Sequence, residues 1–434
     1  MHQLIMSIHS NTADRPQRSS LAVMNFLNEV AGTHPQAISF ASGRPTEAYF
    51  DLPQWVQEIQ RFAAHFAQTQ GYSEKKAFDL LGQYGRTNGI IGDLITEQVR
   101  KDEGIDCEPS QVLVTSGCQE AMELCATTLC KTPSDVILVR NPTYIGITGI
   151  ADIHSLAIES FEPADDSPGA FCAAVEAAIA RIAAQGRRVR LLYLIPDFDN
   201  PTGLLLSRNT REAVLETCAA HGVLILEDNP YGMFTYEGER IPTLFSLDRQ
   251  GSVIYLGTYS KTLCPGLRIG FAILPPMLYG EAGAARQLMG RLSEAKSFGT
   301  CNTSQVTQAI VGGVLLREGG SLRHMVSRQL ELYRANRDLM LAQLEKAFAG
   351  CGDRIHWNRP SGGFFVVVNL PFDFGAVELD SCAREHGVIC MPLSFFALDG
   401  SYQRSVRLAY SNVGPGAIVE GIRRFAAFVR TRLE

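Results

Sequence analysis

Lysine is scarce in this chain. Seven of the 434 residues are lysine, and arginine carries the rest of the basic charge. Other shortages set further bounds. The formal net charge of -6 leaves no basic face, which argues against a nucleic-acid partner. No apolar stretch approaches the length of a membrane span, so no membrane partner is expected either. The first residues, Met1 to Ser20, are polar and lack the apolar core of a signal peptide. The eleven cysteines are scattered and none form a C-x-x-C pair, which speaks against a zinc ribbon or a thioredoxin-type motif. No metal site is expected. Neither an internal repeat nor a low-complexity linker is present. What remains is 46% hydrophobic and 19% charged, the composition of a globular cytoplasmic enzyme with reduced thiols. The length suits two or three domains, or one large and one small.

Six of the lysines, Lys75, Lys76, Lys101, Lys131, Lys296 and Lys346, sit in polar or helical surroundings. Lys261 stands apart, between a strand and a glycine-proline turn, in Gly257-Thr258-Tyr259-Ser260-Lys261-Thr262-Leu263-Cys264-Pro265-Gly266-Leu267-Arg268. A lysine among small and apolar residues is partly desolvated, which favours the neutral, nucleophilic amine. The hydroxyls of Thr258 and Ser260 before it and Arg268 after it suit a phosphate. Upstream, Glu227-Asp228-Asn229-Pro230-Tyr231 ends an apolar run with a carboxylate that needs a cationic partner. A nucleophilic lysine, a partner for a cationic ring nitrogen and an anion cradle are the three needs of pyridoxal 5'-phosphate.

From about residue 110 to 275, short β-branched runs alternate with amphipathic helical stretches. Val112 to Thr115, Val136 to Val139, Leu191 to Ile195, Val223 to Leu226, Val253 to Leu256 and Ile269 to Leu274 read as strands. The alternation predicts an α/β fold whose large domain has a mostly parallel sheet between helices. A smaller α/β domain follows, opening on a long helix from Ser321 to Phe348. The expected division is an N-terminal arm and part of the small domain over 1–60, a large domain over 61–320, and a small C-terminal domain over 321–434. Sheets of this kind bind ligands beyond the carboxyl ends of their strands. Five strand ends carry the reactive residues: Ser116-Gly117, Asn141 to Tyr144, Asp197 to Asn200, Asp228, and Ser260-Lys261.

Each of the others has an ordinary structural role besides a chemical one. Ser116-Gly117-Cys118-Gln119 opens a helix, where free N–H groups favour a phosphate or a simple cap. Tyr144 suits stacking on a flat ring, or packing. Asn200, in Asn-Pro-Thr-Gly, and Tyr231 can reach a phenolate oxygen, although the tetrapeptide is also a plausible turn. Arg407, on an alternating strand, has the planar fork for a substrate carboxylate. Arg44 meets a distal substrate group or caps a turn.

In this order the residues resemble the fold-type I pyridoxal-phosphate enzymes, specifically class I/II aminotransferases of the 2-aminoadipate and kynurenine branch. The resemblance runs from Ile38-Ser39-Phe40-Ala41-Ser42-Gly43 to Arg407 and the final helix. It implies that Lys261 forms the internal aldimine, Asp228 keeps the pyridine nitrogen protonated, and Tyr231 and Asn200 hold the phenolate oxygen. Tyr144 then stacks on the ring, and Arg407 takes the α-carboxylate. Ser116, Gly117, Cys118, Gln119, Thr258, Ser260 and Arg268 surround the phosphate. Tyr84-Gly85 and Gly89 resemble the stretch that touches the neighbouring subunit's phosphate, which implies a homodimer with shared active sites. The implied reaction moves an α-amino group between an amino acid and a 2-oxo acid. Three positions depart from the pattern: Cys118, where a small hydroxyl residue is common; Asp199, in place of a glutamine; and Cys390 to Ser394, which lacks the usual Pro-Gly.

The same lysine and electron sink also support elimination or replacement, cyclisation, or oxidative deamination of an amino acid. Aminotransferase-like domains also occur behind a winged helix-turn-helix in some regulators. About forty residues precede the match here, too few for such a domain.

Overall fold

The computed structural model describes residues 32–433. Its large sheet has seven strands: β1 (Val112–Thr115), β2 (Asp135–Arg140), β3 (Ala157–Phe161), β4 (Arg188–Leu194), β5 (Leu224–Asp228), β6 (Val253–Thr258) and β7 (Gly270–Ile273). They lie in the order β1-β7-β6-β5-β4-β2-β3. All pairings are parallel except those of β7, which runs antiparallel to both β1 and β6.

Alternation along the strands sorts side chains to two faces. Val136, Leu138, Leu192, Leu194 and Ile225 pack with Phe171, Val175 and Val214 of the helices Pro168–Ala184 and Arg208–Ala220. Ile137, Val139, Leu191, Tyr193 and Leu226 point to the other side, where Ala121, Met122 and Cys125 lie. Burial on both faces gives the near-continuous apolar runs of the central strands. The edge strand β3 is only partly buried and carries Glu159 and Ser160, so it has no such run and the sequence pattern passed over it.

Helix α1 (Leu52–Gln70) starts on Asp51, whose side chain accepts from Gln54 N at 3.0 Å, and ends on Gly71 with φ 69°. It lies against α4 (Gln305–Arg317) so closely that a Cβ on Gly313 would meet the Glu58 carbonyl at 2.1 Å. Residue 60 therefore falls inside a helix packed on the large-sheet side of the molecule. In the chain α2 (Cys118–Leu129) and α3 (Ala282–Gly299) come between these two, and α5 (Arg323–Ala347) follows.

The smaller unit is a four-stranded antiparallel sheet in the order Met391–Pro392, Ser405–Ala409, Phe365–Asn369, His356–Trp357. The helices Ala376–His386 and Pro415–Thr431 belong to it. Ile38–Ser39 pairs in parallel with Val388–Ile389, which ties the segment before α1 to this unit. The polar stretch Met1 to Ser20, and the first part of the expected 1–60 arm, lie outside the described residues. Among the described residues no helix is long and apolar enough to cross a membrane.

Candidate active site

The turn after β6 places Lys261 beyond the carboxyl end of the sheet, where its Nζ donates to the Gly43 carbonyl at 3.1 Å. Burial pushes its amine down from 10.5 to about 8. Asp228 opposes that shift, and the guanidinium groups of Arg407, Arg268 and Arg44 add to it. A neutral amine is thus within reach near neutral pH.

Asp228 ends β5 and is buried. Tyr193 Oη donates to its Oδ2 at 2.8 Å and Cys118 Sγ to its Oδ1 at 3.2 Å. Burial raises the carboxyl pKa, while these two donors and the Lys261 charge hold it down. Tyr193 escaped the sequence reading. Parallel pairing sets it beside Leu226, on the face that also carries Asp228, so strand register brings the phenol to the carboxylate. An aromatic hydroxyl inside an apolar strand was the available signal, because such a group needs a polar partner.

The Ser116-Gly117 turn joins β1 to α2. Gly117 has φ 84°, and a Cβ there would meet Arg268 Nη2 at 2.2 Å. The turn is closed internally: Gly117 N donates to Thr115 O at 2.8 Å, and Thr115 Oγ1 to Gly117 O at 2.9 Å. Arg268 Nη2 donates to Ser116 O at 3.2 Å, and Nη1 reaches Ser260 Oγ at 3.5 Å. Thr258 Oγ1 accepts from Ser260 N at 3.1 Å. The first-turn N–H groups of α2, on Cys118 and Gln119, point out of the helix end. Arg268 thus joins Ser116 and Gly117 to Ser260 and, through it, to Thr258, at the N-terminal end of α2 where Cys118 and Gln119 lie; a guanidinium and free N–H groups at one place could hold an anion.

Arg407 is buried and lies between two rings, 4.4 Å from the Phe365 centroid and 4.7 Å from that of Phe396. Its Nη1 donates to Asn200 Oδ1 at 2.6 Å and its Nη2 to the Ala41 carbonyl. Nε is buried with no protein partner. Burial lowers this guanidinium to about 10. Tyr231 is buried near Asn200, its phenol pushed up by burial. Tyr144 lies against Gly146, where a Cβ would meet its ring at 2.2 Å, and burial raises its phenol to about 12.

The departures acquire physical readings. Cys118 turns its thiol to Asp228. Asp199 accepts from Thr202 Oγ1 at 2.7 Å and holds the Asn-Pro-Thr-Gly turn; burial raises its carboxyl to about 6. Leu393–Phe396 is a 3-10 turn anchored by Thr143 N donating to Phe396 O at 3.0 Å. Two expected residues are exposed within this chain. Tyr84 is 84% exposed, and the Arg44 side chain is exposed while its carbonyl accepts from Ser411 Oγ at 2.6 Å. Lys296, grouped above with the polar and helical lysines, does lie on a helix among polar partners and is fully buried there, because its helix face meets Glu120.

The sequence pattern described as aminotransferase class I and II matches residues 35–425. The chain belongs to that family. As a member of this aminotransferase family it is a pyridoxal-phosphate-dependent transferase of amino groups, with the fold-type I architecture. It is 38% identical to (S)-3,5-dihydroxyphenylglycine transaminase of Amycolatopsis orientalis, over 98% of this chain and 94% of that one. It is 30% identical to aromatic-amino-acid aminotransferase 1 of Thermococcus litoralis, over 92% and 89%. Among solved structures it resembles the alpha-aminoadipate aminotransferase of Thermus thermophilus, complexed with N-(5'-phosphopyridoxyl)-L-leucine. The TM-score is 0.74 at 27% identity, covering 94% of this chain and 95% of that one.

Proposed function

We propose that the protein transfers the α-amino group of an aromatic amino acid to a 2-oxo acid, using pyridoxal phosphate held at the strand ends. The observation that carries this reading is that one site holds both Asp228, a buried carboxylate with two neutral donors, and Lys261, an amine within range of its charge and lowered to about 8. A cationic ring nitrogen meets the need of the first, and an aldehyde that of the second. The anion cluster at Ser116 to Gln119 and Arg268 completes the fit.

Bound pyridoxal phosphate supplies an electron sink that makes the substrate α-proton acidic. In this reading Asp228 holds a proton on the ring nitrogen, with Tyr193 and Cys118 fixing the carboxylate. Cys118 N–H, Gln119 N–H, Ser116, Gly117, Thr258, Ser260 and Arg268 hold the phosphate. Asn200 and Tyr231 donate to the phenolate edge, and Tyr144 covers one ring face. Arg407 receives the substrate α-carboxylate. Lys261 would hold the cofactor through its Nζ, and its free amine would move the proton at the substrate α-carbon. The apolar cluster of Val367, Met391, Leu393 and Phe396 beside Arg407 supports an aromatic side chain, as do the activities for which the two relatives are named. Arg44 lies at the rim, near enough for its charge to lower Lys261.

We assign a homodimer with shared sites on the exposure of Tyr84 together with Phe298, 87% exposed. A cytoplasmic location and the division into a large and a small domain complete the reading. Its test is the absorption spectrum of purified protein titrated with amino acids and no 2-oxo acid. The expected result is conversion of the cofactor to its amine form by aromatic amino acids, reversed by a 2-oxo acid. Borohydride reduction and peptide mapping then place the added mass on Lys261; mass on another lysine overturns the assignment.

A further inference from the structure

Glu120 and Lys296 sit directly beneath the anion cluster. Glu120 stands in the first turn of α2, and its Oε2 accepts from Ser116 N at 2.5 Å. Ser116 is thus gripped at both ends of its peptide plane pair, its N–H by Glu120 and its carbonyl by Arg268. A carboxylate one residue from a phosphate cradle works against phosphate. Lys296 offsets it. Reaching across from α3, its Nζ lies 3.0 and 2.9 Å from the two Glu120 oxygens and 3.0 Å from Thr300 Oγ1. Thr300 in turn donates to Glu120 Oε1 at 2.6 Å. Lys296 has 0% exposure, so it has no solvent to stabilise its charge and depends on this partner.

We infer that Lys296 is a positioning residue for the cofactor phosphate: it neutralises Glu120, which can then clamp the Ser116-Gly117 turn without repelling the anion. This rests on the cradle reading given above. A purely structural ion pair would tie α2 to α3 and nothing more. The two accounts part over charge. Removing Lys296 alone leaves an anion under the cradle, whereas removing both charges restores neutrality with near-isosteric side chains.

The test is equilibrium binding of pyridoxal phosphate, and separately of inorganic phosphate, to the full chain stripped of cofactor. Four proteins are compared: wild type, Lys296→Met, Glu120→Gln and the double variant, each checked for native circular dichroism. Lys296→Met is expected to weaken both ligands at least tenfold, and Glu120→Gln not to weaken either. The double variant is expected to return to within about threefold of wild type, by the electrostatic argument. A double variant as weak as Lys296→Met would overturn the inference, as would an unchanged Lys296→Met or a Glu120→Gln equally impaired. Failure of the wild type to bind either ligand would overturn the cradle reading itself, and this inference with it.

Discussion

Tyr193 and Asp228 meet on adjacent parallel strands, phenol to carboxylate at 2.8 Å, both away from solvent. The bond follows from strand parity, since Tyr193 and Leu226 share a face and Asp228 lies two residues beyond. Because Tyr193 donates to the ionised form, it opposes the rise that burial imposes on this carboxyl. Tyr193→Phe removes that donor. The expected cost is about 1.5–3 kcal/mol of unfolding free energy at pH 8, the range for a bond to a charged group. The loss shrinks as the pH falls and the carboxyl protonates in both proteins. Urea unfolding of the cofactor-free chain at pH 8 and pH 5 measures it. An equal loss at both pH values would mean that the phenol is a packing element only.

Lys261 gives a pH dependence of opposite sense. Its folded-state value, about 8, lies below the ordinary 10.5, so the unfolded chain binds more protons between those limits. Stability of the cofactor-free protein therefore gains from this residue's titration as pH rises from about 8 to 10.5. Below 8 the penalty of a desolvated ammonium is fully present. Lys261→Met is expected to unfold at higher denaturant than wild type at pH 7, with the gap closing towards pH 10.5. A gap independent of pH would show that the amine is not desolvated.

Much of the candidate site is legible in the chain because chemistry and spacing coincide. Lys261, Asp228 and Asn200 each end or follow a strand of a sheet buried on both faces, Arg268 just precedes one, and such strands announce themselves as apolar runs. What was not legible depended on which face a side chain takes. Lys296 sits on a helix with ordinary polar neighbours, and only the approach of α2 and α3 turns it inward onto Glu120. The β3 strand has no such run, because Ala157 to Ser160 are only partly buried and include Glu159 and Ser160. The thiol of Cys118 was visible as a departure, but its aim at Asp228 needed the β1-α2 turn in three dimensions.

Gly117 tests the cradle through backbone geometry. At φ 84° an L side chain is strained, and a Cβ would lie 2.2 Å from Arg268 Nη2. Arg268 is itself held at φ 53°, so the clash falls on a short, constrained loop. Gly117→Ala is expected to cost about 1–3 kcal/mol in backbone strain and to displace Arg268 from Ser116 O. Pyridoxal phosphate affinity should fall by at least tenfold, and the affinity for inorganic phosphate should fall with it. If only stability fell while both affinities held, Arg268 would not be a phosphate ligand.

Arg407 tests the carboxylate assignment. Two of its nitrogens are taken by Asn200 and Ala41, and two phenyl rings hold the plane of the guanidinium. The side chain is thus oriented before substrate arrives, which lowers the ordering cost of binding. Lysine carries the same charge but neither the planar fork nor its stacking. Arg407→Lys is therefore expected to lower kcat/KM for an aromatic amino acid by roughly 10²–10³, about 3–4 kcal/mol, the scale for truncating a buried charged pair. The decisive comparison is the corresponding arylalkylamine, which lacks the α-carboxylate. If Arg407 binds that carboxylate, wild type and Arg407→Lys should react with the amine at similar, low rates. Were the substitution to slow the amine as severely as the amino acid, Arg407 would be acting on the cofactor or on Asn200, and the carboxylate would have to be bound elsewhere.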